Sequence, residues 1–69
     1  MEPLEAALAV LAEADGPLHW TVIQDRALRT GRLDPFADPD VRRRLLAALA
    51  EGVRTGRLAK VSTGTYALP

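Results

Sequence analysis

Residues 57–68 read Arg57-Leu58-Ala59-Lys60-Val61-Ser62-Thr63-Gly64-Thr65-Tyr66-Ala67-Leu68. Two short runs, Leu58 to Val61 and Thr65 to Leu68, flank a Thr63-Gly64 step, and glycine accepts the positive φ that a tight turn asks for. The spacing predicts a hairpin. Tyr66 and Leu68 alternate onto one face, with Val61 a partner across the ladder. A two-stranded hairpin alone is marginal in water and needs a surface to pack on. What precedes it in this chain is helical, so the fold is helices with a hairpin laid against them.

The helix just before the hairpin has clear ends. Asp38-Pro39 is a start signal, an N-cap acid followed by proline at the first helical position. Val41, Leu45, Leu46, Leu49 and Val53 then fall on one side, and Gly56 stops the run. This predicts a third helix over 39–55, with Gly52 an unfavourable residue inside it. Upstream, Thr21 with Gln24 has capping-box spacing, Ile23, Ala27 and Leu28 form a stripe, and Gly31 fits the position after a helix end, predicting a second helix over 22–30. Pro3, then Leu4, Ala7, Leu8 and Leu11, predict a first helix over 3–14, which stops at Asp15-Gly16-Pro17. Leu18-His19-Trp20 reads as a short bridge to a sheet. In the connection Arg32 to Ala37, Leu33 and Phe36 are expected to pack inward. The order is helix, short strand, helix, helix, hairpin: a mainly α chain with a small β-hairpin, a single winged helix-turn-helix domain over 1–69.

The 69 residues carry 48% hydrophobic side chains, enough for a small core and too many for a disordered segment. There is no cysteine, which excludes disulfides and thiolate metal sites. No apolar run reaches the ~18 residues of a membrane span, and the acidic start does not resemble a secretory signal. The chain is therefore expected to be cytoplasmic.

Charge is neutral in total, with nine Lys+Arg against nine Asp+Glu, yet unevenly placed. Residues 1–25 hold five acids and no basic side chain; residues 26–69 hold all nine cations and four acids. A neutral chain with one basic end can present a basic surface to a polyanion.

Pro17-Leu18-His19-Trp20-Thr21-Val22-Ile23 and Lys60-Val61-Ser62-Thr63-Gly64-Thr65-Tyr66-Ala67-Leu68 resemble the two ends of the HARE-HTH winged-helix domain. Ala7-Leu8-Ala9-Val10-Leu11 is similar to that family's first helix. The chain departs from the pattern at Val22, where the family often has a polar residue, and in its shorter connection before the third helix. The domain occurs in the bacterial RNA polymerase delta subunit, in some restriction endonucleases and in eukaryotic chromatin proteins. The resemblance implies DNA binding or transcription-linked contacts, with nucleoid association if DNA is bound. No nuclease or glycosylase segment is read in these residues, so no enzymatic activity of the family carries over.

On a helical wheel, Arg43, Ala47, Ala50 and Arg54, flanked by Arg44, lie opposite the apolar stripe of the third helix. A basic face with small gaps suits a helix approaching a groove. Arg43 is the expected base-edge contact, and Arg42 or Arg44 the expected phosphate contact. Arg54 is expected on phosphate, as are Lys60, Ser62 and Thr63 on the wing. Two plainer readings compete. Asp40 has the spacing to pair with Arg43 or Arg44 along the helix, and Ser, Thr and Gly are common in turns. His19 lacks partners for a metal site and reads as a polar bridge residue. Trp20 reads as core or partly exposed packing, suited to a protein partner where exposed, and Tyr66 as the hydrophobic anchor of the hairpin.

The leading expectation is a DNA-binding winged-helix module with double-stranded DNA as partner. The alternative is a protein-interaction module of a transcription or DNA-processing complex, with a protein partner or a second copy. No phosphate loop, nucleophile constellation or metal cluster appears, so no enzyme, cofactor or small-molecule substrate is expected.

Overall fold

A computed structural model describes residues 1–69. It contains α1 (Pro3–Ala12), β1 (Leu18–His19), α2 (Trp20–Arg29), α3 (Val41–Arg54), β2 (Ala59–Ser62) and β3 (Thr65–Ala67). This is the winged helix-turn-helix order expected from the sequence. The strands form one antiparallel sheet in the order β1-β3-β2, so the bridge segment is a full partner of the hairpin. Leu18 stands opposite Tyr66 and His19 opposite Thr65.

Each helix ends within a few residues of its expected limit, and each shift has an identifiable cause. The first helix tightens at its end: Glu13 and Ala14 donate to Val10 and Leu11, three residues back, at 3.2 Å each. The second starts two residues early. Pairing of β1 with β3 holds Leu18–His19 extended, and the chain turns into helix immediately. Trp20 N–H donates to the Gly64 carbonyl at 2.8 Å, and the His19 Nδ1 accepts the Thr21 N–H at 3.3 Å. His19 is therefore the N-cap in place of Thr21. The expected box with Gln24 does not form, and Gln24 Oε1 is buried without a partner. The third helix starts at Val41. The Asp38 carboxylate accepts the Asp40 N–H at 3.2 Å, which makes a turn of Asp38-Pro39-Asp40 and leaves Pro39 outside the helix.

Twelve apolar side chains form the core, contributed by all three helices, the 30–40 connection and the hairpin. Ile23, Leu45, Leu49 and Val10 are its largest fully buried members. The stripe on α3 runs Val41, Leu45, Leu49 and Gly52, with Val53 at its margin. Tyr66 is buried as expected, and no charged or polar residue is.

Three apolar residues expected to face inward are outside, Leu68 among them at 42% exposure beyond the end of β3. Phe36 is 96% exposed. Its N–H is held by the Asp34 carboxylate at 2.9 Å, and Asp38 N–H closes on the Asp34 carbonyl at 2.9 Å; this turn keeps Leu33 in the core and aims Phe36 away from it. Val61 is 56% exposed because the β2–β3 register slips between Lys60 and Ser62. Lys60 faces Tyr66 and Ser62 faces Thr65, so Val61 is the unpaired residue of a bulge and not the partner of Tyr66. Phe36→Ser is accordingly expected to change stability by less than about 0.5 kcal/mol. A loss of several times that in urea denaturation would place Phe36 in the core after all.

The hairpin turn depends on Gly64. Its φ is +76°, and a Cβ there would lie 2.8 Å from His19 Nε2 and 3.3 Å from Trp20 Cδ1. Gly64→Ala is expected to cost about 2 kcal/mol, from left-handed backbone strain and the imidazole contact. The check is the midpoint of thermal denaturation, and an unchanged midpoint would mean the turn relaxes without loss.

Candidate nucleic-acid interface

All seven residues expected at an interface are exposed: Arg42, Arg43, Arg44, Arg54, Lys60, Ser62 and Thr63. The structure separates them into groups that differ in what their charge already touches.

Along α3, Arg43, Ala47, Ala50 and Arg54 are exposed, as the wheel predicts. The two alanines leave a low-relief surface between two guanidinium groups. Neither of those groups is free. Arg43 meets Asp40 at 2.8 Å, three residues back, and Arg54 meets Glu51 at the same spacing. The plainer reading of paired charges thus holds for both. Asp40 does not pair with Arg44, however. Arg44 turns to Asp38 at 2.5 Å and reaches Glu2, ahead of α1, at 3.6 Å. It therefore ties the start of α3 to the start of α1, beside a shallow recess lined by Pro3, Leu33 and Ala37 among others. Exposed pairs of this kind contribute about 0–1 kcal/mol each, so a phosphate can compete for the same guanidinium.

Arg42 is different. Its guanidinium lies 5.2 Å from the centroid of the Trp20 ring and has no carboxylate partner. Trp20 itself packs against the core on one side. Three segments distant in sequence therefore meet here. Pairing of β1 with β3 brings the Thr63-Gly64 turn to the start of α2, the Gly64 carbonyl takes the Trp20 N–H, and the Trp20 ring carries Arg42 from the start of α3. His19 stands in the same place, its ring 5.8 Å from that of Trp20. Ser62 and Thr63 lie at the tip of the wing beside this junction, with their hydroxyls free of protein partners. Lys60, on the edge strand β2, and Arg57 just before that strand likewise lack a carboxylate.

Arg54 does not join this cluster. It is twelve residues along α3 from Arg42, about 18 Å at helical rise. Thus Arg42 and the wing tip form one end of the surface, and Arg54 with Arg57 the other. Sequence reasoning missed His19 and Trp20 as parts of the surface. A lone tryptophan at a helix start was a signal, but its contact with Arg42 spans 22 positions of sequence and follows only from packing.

No helix is long and apolar enough to cross a membrane. No group of three or more His, Asp or Glu side chains is arranged to hold a metal ion. No family model, curated protein or solved structure matches the chain.

Proposed function

We propose that this chain is a DNA-binding winged-helix module serving transcription or its regulation, with α3 in the major groove and the β2–β3 hairpin on the neighbouring backbone. The observation that carries the reading is the exposed face of α3. Its small residues, Ala47 and Ala50, stand between Arg43 and Arg54, with Arg42 at the helix start, and no other part of the chain covers them. A flat cationic helix face lets the backbone approach a groove and its side chains reach base edges and phosphates. The resemblance to the HARE-HTH domain supports the same reading, and we propose membership of that family on the residues that carry it. The partner is double-stranded DNA, no catalytic step is assigned, and the place of action is the nucleoid in the cytoplasm.

The test is fluorescence anisotropy of the domain with a mixed-sequence duplex at a series of salt concentrations. Binding is expected to weaken steeply with salt, through release of counterions from the phosphates. Replacing Arg43 and Arg44 together with Ala is expected to lower affinity and reduce the slope of log K against log salt by about 2. An unchanged slope would remove Arg43 and Arg44 from the interface. Asp40→Asn is expected to act in the opposite sense. It frees Arg43 from its ion pair and removes a carboxylate that repels phosphate, while the Asp40 side chain makes no cap bond to be lost. Affinity at low salt should rise severalfold; a fall would mean that Asp40 positions Arg43 for binding.

A second reading has its own observation. Phe36 is 96% exposed in a turn held by two hydrogen bonds to Asp34, so a large apolar side chain stands open to a protein partner. Six ion pairs and a net charge of zero also weaken unaided attraction to a polyanion. On this reading a complex survives nuclease treatment and is lost with Phe36→Ser; dissociation on nuclease digestion rejects it.

A further inference from the structure

Of the three arginines that open α3, two spend their charge on carboxylates: Arg43 on Asp40, Arg44 on Asp38 and Glu2. Arg42 does not. Its guanidinium sits over the Trp20 ring with no ion pair. We infer that Arg42, seated by Trp20, is the specificity-determining residue of the proposed interface and reads the major-groove edge of a guanine. The inference rests on the DNA-binding reading above and gives Arg42 the base contact that the sequence alone assigned to Arg43.

Three physical points support it. A contact with a ring face engages the positive charge of a guanidinium without consuming its N–H donors. Those donors form a planar fork that matches the O6 and N7 acceptors of guanine, the commonest specific arginine contact in a major groove. Arg43 and Arg44 each already direct one guanidinium nitrogen at a carboxylate, Asp40 and Asp38, and carry that neutralising charge toward the DNA.

The seat also restrains a long side chain before DNA arrives, which lowers the ordering cost of binding. The restraint is built into the fold. Trp20 is fixed by packing on the core and by its N–H bond to Gly64 at 2.8 Å. The backbone bond from Trp20 to Gly64 thus links the wing turn to the residue whose ring carries Arg42. This gives Trp20 a positioning role that its half-buried place in the fold does not by itself require.

The experiment is selection of preferred duplexes by the wild-type domain, followed by anisotropy on the best duplex and on versions with single base changes. Wild type should prefer one guanine by roughly tenfold over the other bases at its position. Replacing that guanine with 7-deazaguanine should remove most of the preference, since N7 is lost and the sugar-phosphate backbone is not. Arg42→Ala and Arg42→Met both remove the fork and should lose the guanine preference, whereas loss of a phosphate contact alone would weaken all duplexes alike. Trp20→Leu keeps Arg42 and should lose the preference with the salt slope intact, whereas Trp20→Phe should retain most of it. Thermal midpoints confirm that each variant is folded, and the arginine variants carry the test if Trp20→Leu is not. A full guanine preference in either arginine variant would overturn the inference. So would salt-sensitive binding by wild type without any base preference; in both cases the DNA-binding reading stands. Absence of DNA binding by wild type at low salt overturns that reading, and this inference with it.

Discussion

Leu45→Ala is expected to cost about 3 kcal/mol and to remove most of the stability of the domain. Leu45 is fully buried in the middle of α3, among core side chains from the other helices and the hairpin. Truncation removes its apolar transfer energy and leaves a cavity that neighbours fill only in part. In a large protein that loss is tolerable. A domain of this length rarely has more than about 3–5 kcal/mol in total. The core here has twelve members, several of them alanine, so there is little reserve. Urea denaturation followed by far-ultraviolet circular dichroism and by Trp20 fluorescence would measure it. The two probes should coincide, because Trp20 packs on the same core. A loss below about 1 kcal/mol would mean that the helices close around the missing side chain, which an interior packed at crystal-like density resists.

Gly52→Val is expected to cost about 2 kcal/mol, for a different reason. Glycine inside a helix is a weak choice by propensity, about 1 kcal/mol worse than alanine. Here it is buried where α1 and the residues leading into β2 come closest to α3. A Cβ at this position would lie 2.8 Å from Leu58 Cδ1, 3.1 Å from Leu58 Cγ and 2.9 Å from Leu4 Cδ1. Leu58 is itself in the core and has little room to move. Valine adds two methyl groups beyond that Cβ and has only restricted χ1 freedom in a helix. The backbone gain from removing glycine is smaller than the overpacking it causes. Gly52→Ala separates the two contributions. It gains helix propensity and makes only the Cβ contacts, so it should fall within about 1 kcal/mol of wild type. Chemical denaturation of both variants is the check. Equal stability of the valine variant and wild type would show that α1 and α3 can separate at this crossing without penalty.

These predictions divide along the same line as the reading of the chain. The helices were legible because their causes are local. Leucine and valine at three- and four-residue spacing, proline near a start and glycine after an end act within one or two turns of the chain. Gly31 and Gly56 both lie just past helix ends with positive φ, as their positions in the sequence implied. The start of α3 shifted because one local bond displaced another, whereas α2 starts early because β1 pairs with β3 and Gly64 takes the Trp20 N–H. Asp38 capped a turn before the helix, and His19 took the place expected for Thr21. The interface residues were legible as exposed cations and hydroxyls, because a wheel separates the two faces of α3 without knowledge of what packs on either.

The sequence alone determined the element order, the apolar stripe of each helix, the Gly64 turn, and the basic character of the chain after residue 25. Those features depend on covalent geometry and on neighbours a few positions away. Tertiary structure decided which side chains meet across long stretches of chain: β1 beside β3, Val61 in a bulge, Phe36 turned out, Arg44 drawn to Glu2, and Arg42 over Trp20. Each of these outcomes sets one weak contact against another of similar size, and close packing of the whole core settles which pair of groups can reach each other.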